Sequence, residues 1–239
     1  MDRSERWESA MKTPGRALHR RLASRWFMFT AAFAGLLLFG VQAWNSALMM
    51  HEASRYGARA VQLTAELQRL MQAEGLSSMD NKVLRVNAFF NRQLMQSTDI
   101  QTWGVNDYWA SPMEFFYQGR GDCEDFAIAK YYALVTMGVP VEKLRLVYVN
   151  YQPDLSKAGI AHMVLAYYQV LDEEPYILDN LIDEVRLASF RSDLQPVYSF
   201  NSSGLWMGAQ GPEAGNPLAR LSPWRRVVSR SRAQGFTEE

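Results

Sequence analysis

The chain has one cysteine, Cys123, and three histidines, His19, His51 and His162. A lone cysteine rules out an intrachain disulfide, and it excludes the zinc sites that need several thiolates in register. Net charge is missing too. Twenty-five basic residues balance 25 acidic ones, so no global positive field draws nucleic acid, and no nucleic-acid partner is expected. Internal repeats are also absent. What is abundant is apolar bulk: 48% of the 239 residues, with seven Trp, eleven Tyr and twelve Phe. That excludes a disordered chain and allows one mid-sized domain with appended segments.

The neutral total hides an asymmetry. Residues 1–43 carry seven Lys or Arg against three Asp or Glu. Five of the basic residues lie between Met11 and Arg25, where there is no acid. Trp26 to Val41 then runs sixteen residues without a charge. Basic, then apolar, then small residues is the order of a secretory signal, and Val41-Gln42-Ala43 predicts cleavage after Ala43. The apolar run is shorter than the roughly 20 residues of a membrane span, so no stable span is expected after processing. An uncleaved anchor is the alternative. Met11 is a second possible start, because Met1–Ala10 adds acids unusual in such a region. The domain is therefore expected outside the cytoplasm, where a single unpaired cysteine is odd as a structural residue.

Beyond a weakly structured lead-in over 44–58, apolar residues at helical spacing predict a helix over Ala58–Gln72. A second helix is predicted through about Gln96, capped by Ser78 or Asp80, with Val83, Val86, Phe90 and Leu94 facing inward. Residues 98–121 read as an aromatic loop. Asp122–Met137 reads as a helix closed by Gly138. Strands are predicted at Leu144–Tyr151, His162–Val170, Tyr176–Asp179 and Val197–Phe200. Helices followed by strands give the α+β class. The remainder is read as a loop over 207–222, a core contact at Trp224, and a flexible tail over 229–239, which leaves 59–228 as the folded domain.

The chemistry concentrates in Gly121-Asp122-Cys123-Glu124-Asp125. Cys123 follows a glycine turn and opens a predicted helix, whose N-terminus favours a thiolate. The bland reading is a small buried hydrophobe. The three acids oppose a thiolate, since like charges raise a thiol pKa. A calcium ion gathering Asp122, Glu124 and Asp125 would cancel that field. The alternative is that the acids serve only as favourable charge at the helix N-terminus. A cysteine nucleophile needs a base and a group to orient it. Of the histidines only His162 lies in the predicted core, although such a histidine is often merely bonded to a carbonyl. Asp179, ending an apolar strand, is the natural third member, because burial of its carboxylate demands a partner. Exact opposition of His162 and Asp179 in a hairpin would need a turn slightly earlier than the one read at Asp172–Pro175, hence a bulge or a slanted pairing. Trp103, Tyr108 and Trp109 either line a cleft or cover the helix.

Gly121-Asp-Cys123-Glu-Asp-Phe-Ala-Ile-Ala-Lys130, Ala161-His162-Met-Val-Leu, Leu178-Asp179-Asn180 and Tyr198-Ser-Phe-Asn201 together resemble the bacterial transglutaminase-like cysteine proteinases, and among them the LapG-type proteases. The resemblance spans about Ala65 to Trp224, and Asn150–Ile160 is where loop length departs from it. It implies a papain-like fold, with Cys123 as nucleophile, His162 as general base and then acid, and Asp179 as orienter. It also implies a Ca2+ cofactor with Asp122, Glu124 and Asp125 as candidate ligands, and a periplasmic location. The implied substrate is the N-terminal region of a large repeat adhesin, cut at a di-alanine, so that cleavage releases the adhesin and disperses a biofilm. The implied partner is an inner-membrane cyclic di-GMP receptor. Two other uses of such a fold stay open: acyl transfer to an amine, as in transglutaminases, and a non-catalytic receptor-binding module.

Overall fold

A computed structural model describes residues 45–154, 156 and 158–236. The predicted signal, its cleavage point and His19 lie outside them. The element around which the rest assembles is the helix Cys123–Thr136. Its residues from Asp125 to Val135 are all buried, and it is apolar on every side, as a helix enclosed by other elements must be. It ends as the sequence predicts. Gly138 takes φ +81°, its N–H reaches the Val135 carbonyl at 2.8 Å, and the Val139 N–H reaches Leu134 at 3.0 Å. Those bonds satisfy two carbonyls that the helix end would leave bare.

The N-terminal helices α1 (Ser46–Tyr56), α2 (Ala58–Glu74) and α3 (Met79–Gln93) precede it. Ser78 caps α3 by accepting from the Asn81 N–H, and Val83, Val86, Phe90 and Leu94 are buried as predicted. Lys82 donates to the Met137 carbonyl at 2.8 Å, placing a cation at the C-terminal end of the central helix. The two-residue strands β1 (Met95–Gln96) and β2 (Arg120–Gly121) pair in parallel, and they bracket α4 (Asp99–Trp103) and α5 (Pro112–Gln118). The central helix is therefore α6.

The sheet has the order β6-β5-β4-β3-β7-β8-β9, every pair antiparallel. Its strands are β3 (Leu144–Tyr151), β4 (Ile160–Tyr167), β5 (Tyr176–Leu178), β6 (Arg186–Leu187), β7 (Leu194–Phe200), β8 (Leu205–Met207) and β9 (Glu213–Gly215). Leu144, Leu146, Met163, Leu165, Leu178 and Phe200 join the main core with α6. The alternate residues Val147, Val149, Val164, Ala166 and Ile177 form a smaller cluster on the other face. Mixed helices and an antiparallel sheet are the α+β class read from the sequence.

Four expectations fail. The lead-in over 44–58 is largely helix α1. Its signal is weak because only Met49 and Ala53 are fully buried, too few for an apolar stripe to show. The aromatic loop contains α4 and α5. The stretch 207–222 holds β9 and α7 (Pro217–Arg220), and the tail is not free: α8 runs Ser222–Ala233. Trp224 and Val227 are fully buried and Phe236 almost so, while Gln234 bonds Ser111 Oγ at 2.8 Å and Tyr56 Oη at 3.0 Å. Arginine-rich composition masks a segment whose docking is decided by distant partners. Among the described residues no helix is long and apolar enough to cross a membrane. Because Phe236 packs at the edge of Tyr132 with ring centroids 6.1 Å apart, Phe236→Ala should cost about 3 kcal/mol and lower the melting temperature by about 6–12 °C. A flexible tail would leave the thermal transition unmoved.

Candidate active site

Cys123 is the first residue of α6, and the turn before it is fixed from two sides. The Ser97 N–H bonds the Gly121 carbonyl at 2.7 Å, extending the β1–β2 pairing. A Cβ on Gly121 would stand 2.2 Å from Asp125 Oδ2, so only glycine allows this turn and that buried carboxylate to coexist. The half-buried sulfur makes two contacts. Sγ donates to Glu124 Oε2 at 2.8 Å and accepts from the backbone N–H of Met163, the residue after His162. Burial, then the Glu124 charge, pushes the thiol pKa well up, and the Met163 N–H opposes them only weakly. The adverse field expected from the sequence is thus present.

His162 and Asp179 meet. Nε2 lies 2.8 Å from Asp179 Oδ1, with both side chains buried. The strand register explains how. Leu165 pairs with Leu178 and Tyr167 with Tyr176. Continued by one residue, that register puts Asp179 opposite Val164, so His162 is its diagonal neighbour on the same face. Diagonal pairs lie about 7–8 Å apart and are bridged by long side chains, so the slanted pairing is realised without a bulge. Tyr151 packs beside the imidazole, ring centroids 5.6 Å apart. The imidazole does not hydrogen-bond the sulfur in this structure. What brings Cys123 to the histidine strand is the Met163 contact.

Burial alone would raise the Asp179 pKa. The hydrogen bond and charge of His162, with help from the Leu181 N–H and Arg191, instead hold it at about 2. An ionised carboxylate only accepts, so Nε2 donates to it, and in the neutral ring Nδ1 is the lone-pair nitrogen. The Asp179 backbone is fixed separately: its carbonyl accepts from Asn91 Nδ2 at 2.9 Å and from Lys130 Nζ at 3.1 Å. Lys130 sits two turns along α6 from Cys123, and burial lowers its pKa to about 7 against the pull of Asp179 and Asp183.

Of the predicted metal residues, Asp122 and Asp125 converge with an aspartate the sequence reading missed. Asp99, Asp122 and Asp125 each bring a carboxylate oxygen within 4.8 Å of the others. Glu124 is turned to the sulfur, in a second group with Asp122 and Cys123. Asp99 Oδ2 accepts from the Tyr108 N–H and Asp125 Oδ1 from the Ala110 N–H, while Asp99 Oδ1, Asp122 Oδ1 and Asp125 Oδ2 are buried with no donor. Burial, then Glu124 and Asp125, pushes Asp122 up to about 10, and burial also raises Asp99 and Asp125. Three buried oxygens lacking any donor fit a hard divalent cation. No sequence spacing links Asp99 to the other two, because only the fold of 98–111 returns it to the α6 N-terminus.

The aromatic candidates separate. Trp109 is core, stacked on Phe200 at 5.7 Å. Tyr108 donates to Glu114 and packs on Trp103. A different pair, Tyr148 and Tyr198, stacks at 5.0 Å, and the charge of Glu124 acts on both rings. Alternation along β3 and β7 could have placed that pair on the α6 face. Asn201 in the last motif knots a turn: Nδ2 donates to the Leu144 and Val141 carbonyls, and Oδ1 accepts from the Ser203 and Gly204 N–H groups.

The sequence profile of the bacterial transglutaminase-like cysteine proteinases matches residues 59–199. No curated protein sequence matches significantly. Among solved structures, Legionella pneumophila LapG is 37% identical, with TM-score 0.66 over 78% of this chain and 97% of that one. EGTA-treated LapG from the same organism gives 37% and 0.68 over the same shares. The calcium-bound form gives 36% and 0.66 over 77% and 98%.

A carboxylate whose folded pKa lies below its ordinary 3.8 stabilises the fold above about pH 4 and loses that contribution as pH falls through about 2. For Asp179 the contribution is about 2 kcal/mol. Asp179→Asn should therefore lower stability at pH 7 and flatten its decline between about pH 4 and 2. Urea unfolding at a series of pH values reads both effects.

Proposed function

Because the chain belongs to the bacterial transglutaminase-like cysteine proteinases, we propose that it is a calcium-dependent periplasmic cysteine endopeptidase of the LapG type. It cuts the N-terminal region of a large repeat adhesin at a di-alanine, and release of the adhesin disperses a biofilm. The observation that carries this reading is the His162–Asp179 pair on the strand whose next residue, Met163, donates its N–H to Cys123 Sγ. The adhesin, the inner-membrane cyclic di-GMP receptor and the location are carried over from the family resemblance. The apolar run before Ala43 supports export.

The roles follow from the chemistry of the groups. His162 Nδ1 takes the Cys123 proton, and the sulfur attacks the scissile carbonyl. The Cys123 amide, at the open N-terminus of α6 where backbone N–H groups lack helical partners, would steady the oxyanion. The imidazolium, held by ionised Asp179, protonates the leaving amine, and water then releases the acyl-enzyme. Asp99, Asp122 and Asp125 would hold the calcium, and Glu124, which shares only Asp122 with that group, stays beside the sulfur. A bound cation would offset the negative field that, after burial, raises the thiol pKa. The calcium-bound and EGTA-treated forms of the Legionella relative support this assignment.

Cys123→Ala should abolish cleavage of recombinant adhesin N-termini while leaving the melting temperature near that of the wild type, and residual cutting by this variant defeats the reading. Amine incorporation into a glutamine peptide in place of hydrolysis would point to acyl transfer instead. At calcium 100-fold above Kd, binding adds about 2.7 kcal/mol, which raises the melting temperature by about 5–10 °C. EGTA should remove that increment together with the activity, and Asp99→Asn should abolish the calcium-dependent shift. A melting temperature indifferent to calcium would refute the metal assignment.

A further inference from the structure

Beyond the three residues assigned above, the geometry points to Arg191 as a positioning residue: it grips the Asp179 oxygen that His162 does not use, and so fixes the carboxylate that orients the imidazole. This rests on the proposed protease reading.

Asp179 divides its oxygens. Oδ1 faces His162 Nε2 at 2.8 Å and the Leu181 N–H at 3.1 Å. Oδ2 faces Arg191 Nη2 at 2.8 Å, in an ion pair whose side chains are 4% and 0% exposed. With both oxygens held by different groups, rotation about the carboxyl bond would break one contact or the other. The guanidinium is itself clamped. Nη2 also meets Asp193 Oδ2 at 2.8 Å, and Nε meets Asp193 Oδ1 at 3.0 Å. Asp193 holds the planar fork from the far side, and the fork presents one nitrogen to both carboxylates.

The position of Arg191 also makes sense of the segment between β5 and β7. That segment leaves the sheet after Leu178, pairs briefly as β6, and folds back so that the Arg191 N–H bonds Ala188 and the Leu194 N–H bonds Arg191. The result is a buried cation paired with the Asp179 carboxylate. A purely structural role is less apt, because the Asp179 main chain is already secured by Asn91 and Lys130. Arg191 is left with the carboxylate alone. The charged groups facing Asp179 are then His162 from β4, Lys130 from α6, and Arg191 with its clamp Asp193. Asp183 acts on Lys130 from the loop after Asp179. Removing Arg191 deletes the cation paired with Oδ2 and leaves Asp193 as an unopposed like charge. Asp179 then protonates at higher pH, and the imidazole loses its orienter earlier on the acid side.

The test uses the full mature chain with calcium and a quenched-fluorescence peptide containing an Ala-Ala bond. Arg191→Gln should lower kcat about 10- to 100-fold, the range typical of orienting contacts. KM should stay within about twofold, and the acid limb of the kcat profile should move to higher pH. Arg191→Lys keeps the charge but loses the two-pronged Nε and Nη2 grip on Asp193. It should keep the acid limb near wild type but lose about three- to tenfold in kcat, with a measurable shift of the His162 ring signals. Nitrogen-15 signals of the His162 ring read the same point without turnover. The wild type should show the proton fixed on Nε2, and Arg191→Gln a mixed or shifted tautomer. A folded Arg191→Gln protein with wild-type kcat, acid limb and ring signals overturns the inference. If Arg191→Gln does not fold, unchanged kcat and ring signals in Arg191→Lys overturn it equally. A wild-type protein that never cuts the peptide counts against the protease reading, whereas the ring signals still decide the role of Arg191.

Discussion

A carboxylate buried at a strand end must be paid for with partners, and Asp179 is the point on which this site depends. It accepts from an imidazole and a backbone amide and forms an ion pair with a guanidinium, and its own carbonyl is held by Asn91 and Lys130. These contacts come from α3, α6, β4 and the loop before β7. The residue that orients the histidine is also where helices and sheet are locked together. The antiparallel register of β4 and β5 makes this possible, because it sets His162 and Asp179 on one face at a diagonal that their side chains can span.

The other end of the site is governed by an opposing constraint. The N-terminus of α6 offers a partial positive charge to Cys123, but the same turn gathers Asp122, Glu124, Asp125 and, from a distance, Asp99. Without a cation, burial and the acids prevail, and the thiol keeps its proton, which it donates in a hydrogen bond to Glu124. The chain therefore concentrates negative charge at the place where its proposed chemistry requires a thiolate. A bound cation would reconcile the two demands, since it would satisfy three buried oxygens that have no donor and relieve the field at the sulfur together.

Much of the scaffold could be read from spacing. The central helix, its Gly138 stop, the buried stripe of α3 and the alternation of β3 are local patterns in which each residue's neighbours lie within a turn or along a strand. His162 and Asp179 were legible because polar residues at the ends of apolar strands demand partners. The elements that were missed share a cause. α1 buries two residues fully, and α8 hides its apolar face among arginines, so neither shows a pattern until the surface it docks on is known. Asp99 and Arg191 lie 23 residues before Asp122 and 12 after Asp179. No motif spans those separations.

The amino-acid order by itself determined which chemical groups exist and where each begins: one thiol, one core imidazole, an acidic turn at a helix start, and a carboxylate closing an apolar strand. It determined them because helix caps, alternation and burial are short-range rules. Which oxygen of Asp179 meets which donor was decided only by the tertiary structure. The same holds for the aspartate that completes the acidic cluster and the arginine that stands behind the histidine. Those choices depend on strand register and on loops returning from far along the chain, and the energies that select them arise only when distant groups are brought out of water together.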